Sequence, residues 1–401
     1  MAVYGALDIG GTKIAGALVD PEGRVVTRTQ RPTPAREPAE VLMATVTAVL
    51  DELSAHPAWR SLNCLGIASA GPVDTAAGTV SPVNLPGWRG FPLVERVRAH
   101  PRVPSGVAPV LVGDAVAMTA AEHWLGAARG VDSALCMVVS TGVGGGLVLG
   151  GRLHTGRTGN AGHIGHISVD LNGPVCPCGA RGCVERLASG TAIAAYAAAA
   201  GWTPPDGGPV TAAAVARAAR RGDAPARGAY ERAARALAAA IAATAALVEL
   251  DLVVVGGGVA QAGDTLFGPL RRRMADYAVL DFVRDLPIVP AGLALDAGLI
   301  GAAAAAAAPG AADTSGPAGA RGAVAPSGPR GVPGSHGTPC GMGGARHPAG
   351  PHPGTAGGGT GIGGGDGNGA TGSGAPCPGT HGHHATNGTA AKGAKAATVE
   401  P

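Results

Sequence analysis

The chain has 401 residues and a formal net charge of +3. It can therefore bury a large core in about two domains, and it carries no electrostatic footprint for nucleic acid. The opening MAVYGALDIGG lacks the basic stretch and small-residue cleavage site of a secretory leader, and no run is long and apolar enough to suggest a membrane partner. Cys64 (NCLGIA) and Cys136 (ALCMVV) sit among apolar neighbours and read as buried strand thiols, so a reducing cytoplasm is the expected setting.

The stretch VYGALDIGGTKIAGALVDPEGRVV reads as strand, tight turn, strand, a second turn at Pro21-Glu22-Gly23, and a third strand. Asp8 ends the first strand. Gly10, Gly11, Thr12 and Lys13 follow, and the glycines let backbone N–H groups approach a polyphosphate with no side chain between. A carboxylate beside such a turn suits a hydrated magnesium ion bridging phosphate oxygens. The GxxxxGK[ST] spacing of a Walker loop is absent at this turn. Further along, an apolar strand over 110–112 ends at Gly113-Asp114, and the residues after it suit a helix running into Trp124. A carboxylate at a strand end has two readings: a general base facing a cleft, or a cap on the helix that follows.

ALCMVVSTGVGGGLVLGGRL is again strand, glycine turn, strand, with Thr141, Gly142, Gly144 and Gly145 at the turn. Next comes GNAGHIGHISVDLNGPVCPCGARGCVERLASG, residues 159–190. His166, Cys176, Cys178 and Cys183 could close a tetrahedral shell around zinc with no open position, as structural sites do. Cys176 and Cys178 are one residue apart, and Pro177 holds that link extended, so the two cannot easily pair. The alternative is incidental buried cysteines with one disulfide. His163 competes with His166 as the nitrogen ligand, since the two could share a face of one helical turn. Glu185 follows the last thiol by two residues. The alanine-rich helix near 230–249 reads as scaffold. In LDLVVVGGGVAQAGDTLF, Gly256, Gly257 and Gly258 follow an apolar strand; they make either a structural turn or room for a nucleoside. A last helix is expected near 299–307. Beyond Pro309 the chain is dominated by Gly, Ala, Pro, Thr and His, and 309–401 is expected to be disordered. Its His347, His352, His381, His383, His384, Cys340 and Cys377 are given no chemistry.

Taken in order, these motifs resemble those of the ROK family (repressors, open reading frames and sugar kinases) from about Tyr4 to Ala302. GNAGHIGH and CPCGARGCVE resemble the family's GNAGExGH and CxCGxxGCxE. The resemblance makes His166 the zinc histidine beside the three thiols, and Glu185 a contact for sugar hydroxyls. The turns at Asp8, at Thr141 and at Gly256 look like the first phosphate, second phosphate and adenosine motifs of the actin-like ATPase superfamily. Asp114 matches the catalytic aspartate of the family's NDxN segment, and Gly71 and Asn84 match segments near the sugar. Two positions depart from the family. Gly113-Asp114-Ala115-Val116 lacks the sugar-binding asparagine, and His163 replaces a sugar-binding glutamate. Glutamate accepts from two hydroxyls, whereas neutral histidine offers one donor and one acceptor.

The resemblance implies an α/β fold of two actin-like (ribonuclease H-like) domains with a cleft between them. Residues 1–117, joined by the last helix, would form the smaller domain, and 118–298 the larger one with the zinc knot. It implies a sugar kinase with ATP as donor, magnesium, structural zinc, a hexose or amino-hexose as acceptor, and a homodimer or homotetramer. The other class is a catalytically weak sugar sensor. A repressor's helix-turn-helix domain would precede the first phosphate motif, and Asp8 lies too near the start for one to fit.

Overall fold

The structure, a computed structural model, describes residues 2–293 and 296–308. The stretch 309–401, expected to be disordered, lies outside the described residues together with its histidines and cysteines. Strands and helices alternate. The first sheet is built from β1 (Val3–Ile9), β2 (Lys13–Val19), β3 (Val25–Pro32), β4 (Leu62–Ser69) and, after the short hairpin of β5 (Val73–Asp74) and β6 (Thr79–Val80), β7 (Pro109–Gly113). The second holds β8 (Ala134–Val139), β9 (Val143–Leu149), β10 (Arg152–His154), β11 (Leu252–Gly256) and β12 (Ile288–Pro290). The helices are α1 (Ala39–Ala55), α2 (Leu93–Arg98), α3 (Asp114–Trp124), α4 (Val184–Ala188), α5 (Gly190–Ala199), α6 (Ala212–Arg220), α7 (Ala224–Val248), α8 (Asp264–Tyr277), α9 (Asp281–Arg284) and α10 (Ala297–Ala307). No described helix is long and apolar enough to cross a membrane.

The two sheets are wound alike. The orders are β3-β2-β1-β4-β7 and β10-β9-β8-β11-β12. In each, an antiparallel meander of three strands is followed by two strands parallel to its first. The central strands read as continuous apolar runs because both faces are covered: β11, LVVVG, is buried at every residue. The edge strand β3, by contrast, alternates half-buried with exposed residues before ending exposed.

On one face of the first sheet, Leu7, Ile9, Ile14 and Leu18 pack with Leu42, Val46, Val49 and Leu50 of α1. On the other face, Ala6, Ala15, Ala17 and Ala68 meet Ala117 of α3 and Leu299, Ala302 and Ala303 of α10. Alanine brings the helices close, and Gly301 of α10 lies so near the Ala117 carbonyl that any Cβ would clash. The second sheet packs against α7, whose buried face is largely alanine with Tyr230, Leu237 and Ile241.

Candidate active site

The elements deliver their chemistry at the carboxyl ends of parallel strands, where open α/β sheets bind ligands. Asp8 lies near the end of β1, Asp114 directly follows β7, and the glycine turns follow β1, β8 and β11. The first turn is closed by Gly10 N–H donating to the Lys13 carbonyl at 3.0 Å, and Thr33 Oγ1 donates to the Gly10 carbonyl at 2.7 Å. In the second turn, Ser140 N–H donates to the Gly142 carbonyl at 2.8 Å. The third is pinned to the second sheet by Val259 N–H donating to the Val139 carbonyl at 2.9 Å. Gly257 has φ +90° and its Cα faces the Val139 backbone, so only glycine serves there. Among the described residues, no acceptor takes the N–H of Gly11, Thr12, Thr141, Gly142, Gly257 or Gly258. All six residues are exposed or half-buried. Backbone donors left free at a surface are what an anion's oxygens require. Gly144 lies in β9, with its Cα close to the Ala115 methyl of α3.

Asp8 is half-buried, and burial pushes its carboxyl up to about 6. The Lys13 ammonium opposes that rise, the Asp114 charge adds to it, and Arg28 opposes it. Gly298, near the start of α10, packs directly on the Asp8 carboxyl. Asp114 opens to solvent, yet the surrounding protein desolvates its carboxyl and raises it above the ordinary range; the Ala115 N–H and the His163 charge act in the opposite sense. The helix-cap alternative can be examined directly. The cap position of α3 is Gly113, and Asp114, one residue inside, takes the adjacent Ala115 N–H, at 2.7 Å on Oδ1, and its own N–H, but no N–H further along the helix. Its second oxygen has no hydrogen-bond partner among the described residues.

His163 Nδ1 lies 2.9 Å from the Asn160 carbonyl oxygen, which can only accept. Nδ1 therefore carries the proton, and in the neutral ring Nε2 is the acceptor, on the side of Gly71. Asn84 is exposed and lies against Gly11, which brings that segment to the first turn. Glu185, on α4, has one oxygen committed: Oε2 accepts from Val143 N–H at 3.0 Å, beside Gly142. The position expected to read sugar hydroxyls thus also braces the second turn.

The His-Cys quartet assembles. The donor atoms of His166, Cys176, Cys178 and Cys183 all lie within 4.8 Å of one another. A tetrahedral ion with zinc–sulfur bonds of about 2.3 Å and a zinc–nitrogen bond of about 2.0 Å sets sulfur–sulfur edges near ~3.8 Å and sulfur–nitrogen edges near ~3.6 Å. Cys178 Sγ lies 3.7 Å from Cys183 Sγ, and Cys176 Sγ lies 3.8 Å from His166 Nδ1. The donor set and its spacing fit zinc. The cysteines of the knot are free, which leaves no disulfide among them. His163 is outside the quartet, with its ring centre 6.2 Å from that of His166.

Two further side chains hold distant segments of backbone. Asn160 Oδ1 accepts from Val73 N–H at 3.1 Å, and its Nδ2 donates to the Val73 carbonyl at 2.6 Å. Glu122, deep in α3, accepts three backbone N–H groups. Glu122 lies in no motif, and Asn160 belongs to GNAGHIGH, but only the folded arrangement reveals their partners.

Known proteins are similar to this chain in sequence and fold. The ROK family model matches residues 4–308. A glucokinase of Thermotoga maritima is 35% identical over 309 residues, covering 74% of this chain and 95% of that protein. An N-acetylmannosamine kinase of Yersinia pseudotuberculosis is 37% identical over 299 residues, covering 74% of this chain and 96% of that one. The crystal structure of a ROK family glucokinase from Streptomyces griseus in complex with glucose and AMPPNP is 34% identical, with a TM-score of 0.65 over 76% of this chain and 99% of that chain. The two like-wound sheets are thus the actin-like α/β architecture expected from the sequence. The match over residues 4–308 takes in all three glycine turns, the strand-end aspartate and the His-Cys quartet, and the chain belongs to the ROK family.

Proposed function

We propose that the chain transfers the γ-phosphoryl group of ATP to a hydroxyl of a hexose or amino-hexose, with Asp114 as the general base. The observation that carries this reading is the Asp114 carboxyl itself. It stands at a strand end, open to solvent, with one oxygen unpartnered and its pKa raised, in charge contact with Asp8 and His163. A carboxylate raised above its ordinary range is a stronger proton acceptor once ionised. Asp114 would take the hydroxyl proton as the sugar oxygen attacks phosphorus, and ADP leaves. Phosphoryl transfer depends mainly on positioning and charge stabilisation, which the free N–H groups of Gly11, Thr12, Thr141 and Gly142 supply, with Gly257 and Gly258 beside the nucleoside. Lys13 adds a cation at the first turn.

Asp8 offers hard oxygen donors suited to magnesium, which when bound neutralises phosphate charge. The quartet of His166, Cys176, Cys178 and Cys183 suits zinc, which when bound orders the loop between His163 and Glu185. On the sugar side stand Gly71, Asn84, His163, His166 and Glu185. Gly113 and Val116 replace the asparagines of the family's NDxN segment and leave Asp114 with fewer polar neighbours. That substitution also supports the second reading, a sugar-sensing protein with weak catalysis.

Coupled ADP release across glucose, mannose, fructose, N-acetylglucosamine and N-acetylmannosamine decides between the two. N-acetylmannosamine belongs in the panel because a kinase named for it is a close relative. Turnover with one of these sugars supports the kinase. Saturable sugar binding without ADP release from any of them supports the sensor.

A further inference from the structure

Glu122 is fully buried in α3, and none of the chemistry above uses it. A carboxylate in that setting is costly unless hydrogen bonds take up its charge. Three backbone groups do so. Ala127 N–H donates to Oε2 at 2.7 Å, Gly292 N–H to the same oxygen at 3.0 Å, and Leu293 N–H to Oε1 at 2.8 Å. The donors belong to two segments far apart in sequence. One follows α3 and carries the chain from the first sheet to β8; the other follows β12 and carries it back to α10. The two passages touch backbone to backbone. A Cβ on Gly292 would stand 3.2 Å from the Ala127 nitrogen, and a Cβ on Gly126 would collide with the Glu122 carboxyl. The glycines clear the space that the carboxylate fills.

Both proposed site carboxylates ride on elements joined here. Asp114 is the first residue of α3, eight positions before Glu122 on the same helix. Asp8 is packed under Gly298 of α10, which begins just beyond the Glu122-bound Gly292 and Leu293. The helices themselves are in contact at Ala117 and Gly301. We infer that Glu122 is a positioning residue: by holding both passages between the sheets it fixes α3 against α10 and keeps Asp114 in register with Asp8. The inference rests on the roles proposed for those two aspartates.

The test uses the full chain and two variants. Glu122→Gln keeps the shape but turns one acceptor into a donor, so an N–H of Ala127, Gly292 or Leu293 must lose its partner. Gly292→Ala wedges the passages apart without altering the carboxylate, and it carries the test should Glu122→Gln fail to fold. Amide hydrogen exchange is measured together with kcat per nucleotide-binding site, the latter counted by calorimetry. The expected result is faster exchange in both passages and at the start of α3, with the remaining amides unchanged. In the same variants kcat per site should fall about tenfold, because small misplacements of reacting groups are costly, while both KM values stay within about threefold. Faster exchange in only one passage, or an unchanged kcat per site in both variants, overturns the proposal. A wild-type protein with no turnover on any sugar, or an Asp114→Asn variant with full turnover, overturns instead the reading of the site.

Discussion

In the roles proposed for them, Asp114 and Asp8 must both be ionised, yet the fold makes ionisation harder for each. Burial raises both carboxyls, and the charge of Asp114 further raises Asp8. Asp114→Asn removes the proton acceptor while keeping the shape. Turnover should fall by about two to four orders of magnitude, with nucleotide affinity and melting temperature retained; activity within about tenfold of wild type would refute the assignment. Asp8 carries a second, opposite signature. Its carboxyl moves from 3.8 to about 6 on folding. Between those values the folded chain holds the proton more tightly than the unfolded one, so this group's contribution to stability declines as pH rises through the window and levels off above it. Asp8→Asn never ionises. In the substrate-free protein it should raise the melting temperature at neutral pH, change it little near about pH 4, and lose phosphoryl transfer. A lower melting temperature at neutral pH argues against the burial cost. Lys13 restrains the same rise, so Lys13→Met should move the acid limb of the kcat/KM profile to higher pH; a limb that stays or moves down would contradict that coupling.

At the level of elements, the His-Cys knot and the second turn form one unit. Val184 N–H donates to the Ile167 carbonyl at 3.0 Å, and Glu185 reaches Val143 at the start of β9. Loss of one thiol should therefore act at a distance. Cys178→Ala, at the exposed thiol of the quartet, is expected to lower zinc content from one ion per chain to none, loosen α4 and withdraw Glu185 from the second turn, raising the KM for sugar and for ATP together. Metal content and kinetics check it, and full zinc content with unchanged KM values would exclude the coupling. This unit was legible in the sequence because its signals are local: thiol spacing, a glycine turn, and a carboxylate two residues after the last thiol. Element boundaries were less so. The helix expected near 230–249 begins at Ala224, since Asp223 accepts the Ala226 N–H and Pro225 suits a first turn, and it stops where Glu249 turns left-handed with φ 50°. Glu122 left no trace, and the motif around Asn160 did not name its partner, because Gly292 and Val73 lie 170 and 87 residues away along the chain. Nothing in a short window marks a side chain whose role is defined by a distant backbone.

At the scale of the molecule, Asn160 shows how the second sheet's long loop is tied to the segment after β4. Its amide makes a two-way clasp on the Val73 backbone, reinforced by Thr75 N–H donating to the Thr158 carbonyl at 3.1 Å. The same residue's carbonyl sets the proton position of His163. One residue therefore links Val73, close to Gly71, with the ring that faces Gly71 from the other side. Asn160→Ala leaves both Val73 groups without that partner, a cost of about 1–3 kcal/mol if they stay dry. Asn160→Asp should be worse than alanine. One carboxylate oxygen can still accept from Val73 N–H, but the other then faces the Val73 carbonyl, acceptor against acceptor. Both variants should lower the melting temperature and raise the KM for sugar by about tenfold, leaving the KM for ATP near wild type because no glycine turn is touched. Melting curves and the two KM values across Asn160, Ala and Asp provide the check. If aspartate is tolerated better than alanine, or if the ATP term moves as far as the sugar term, then the clasp does not serve the sugar side of the site.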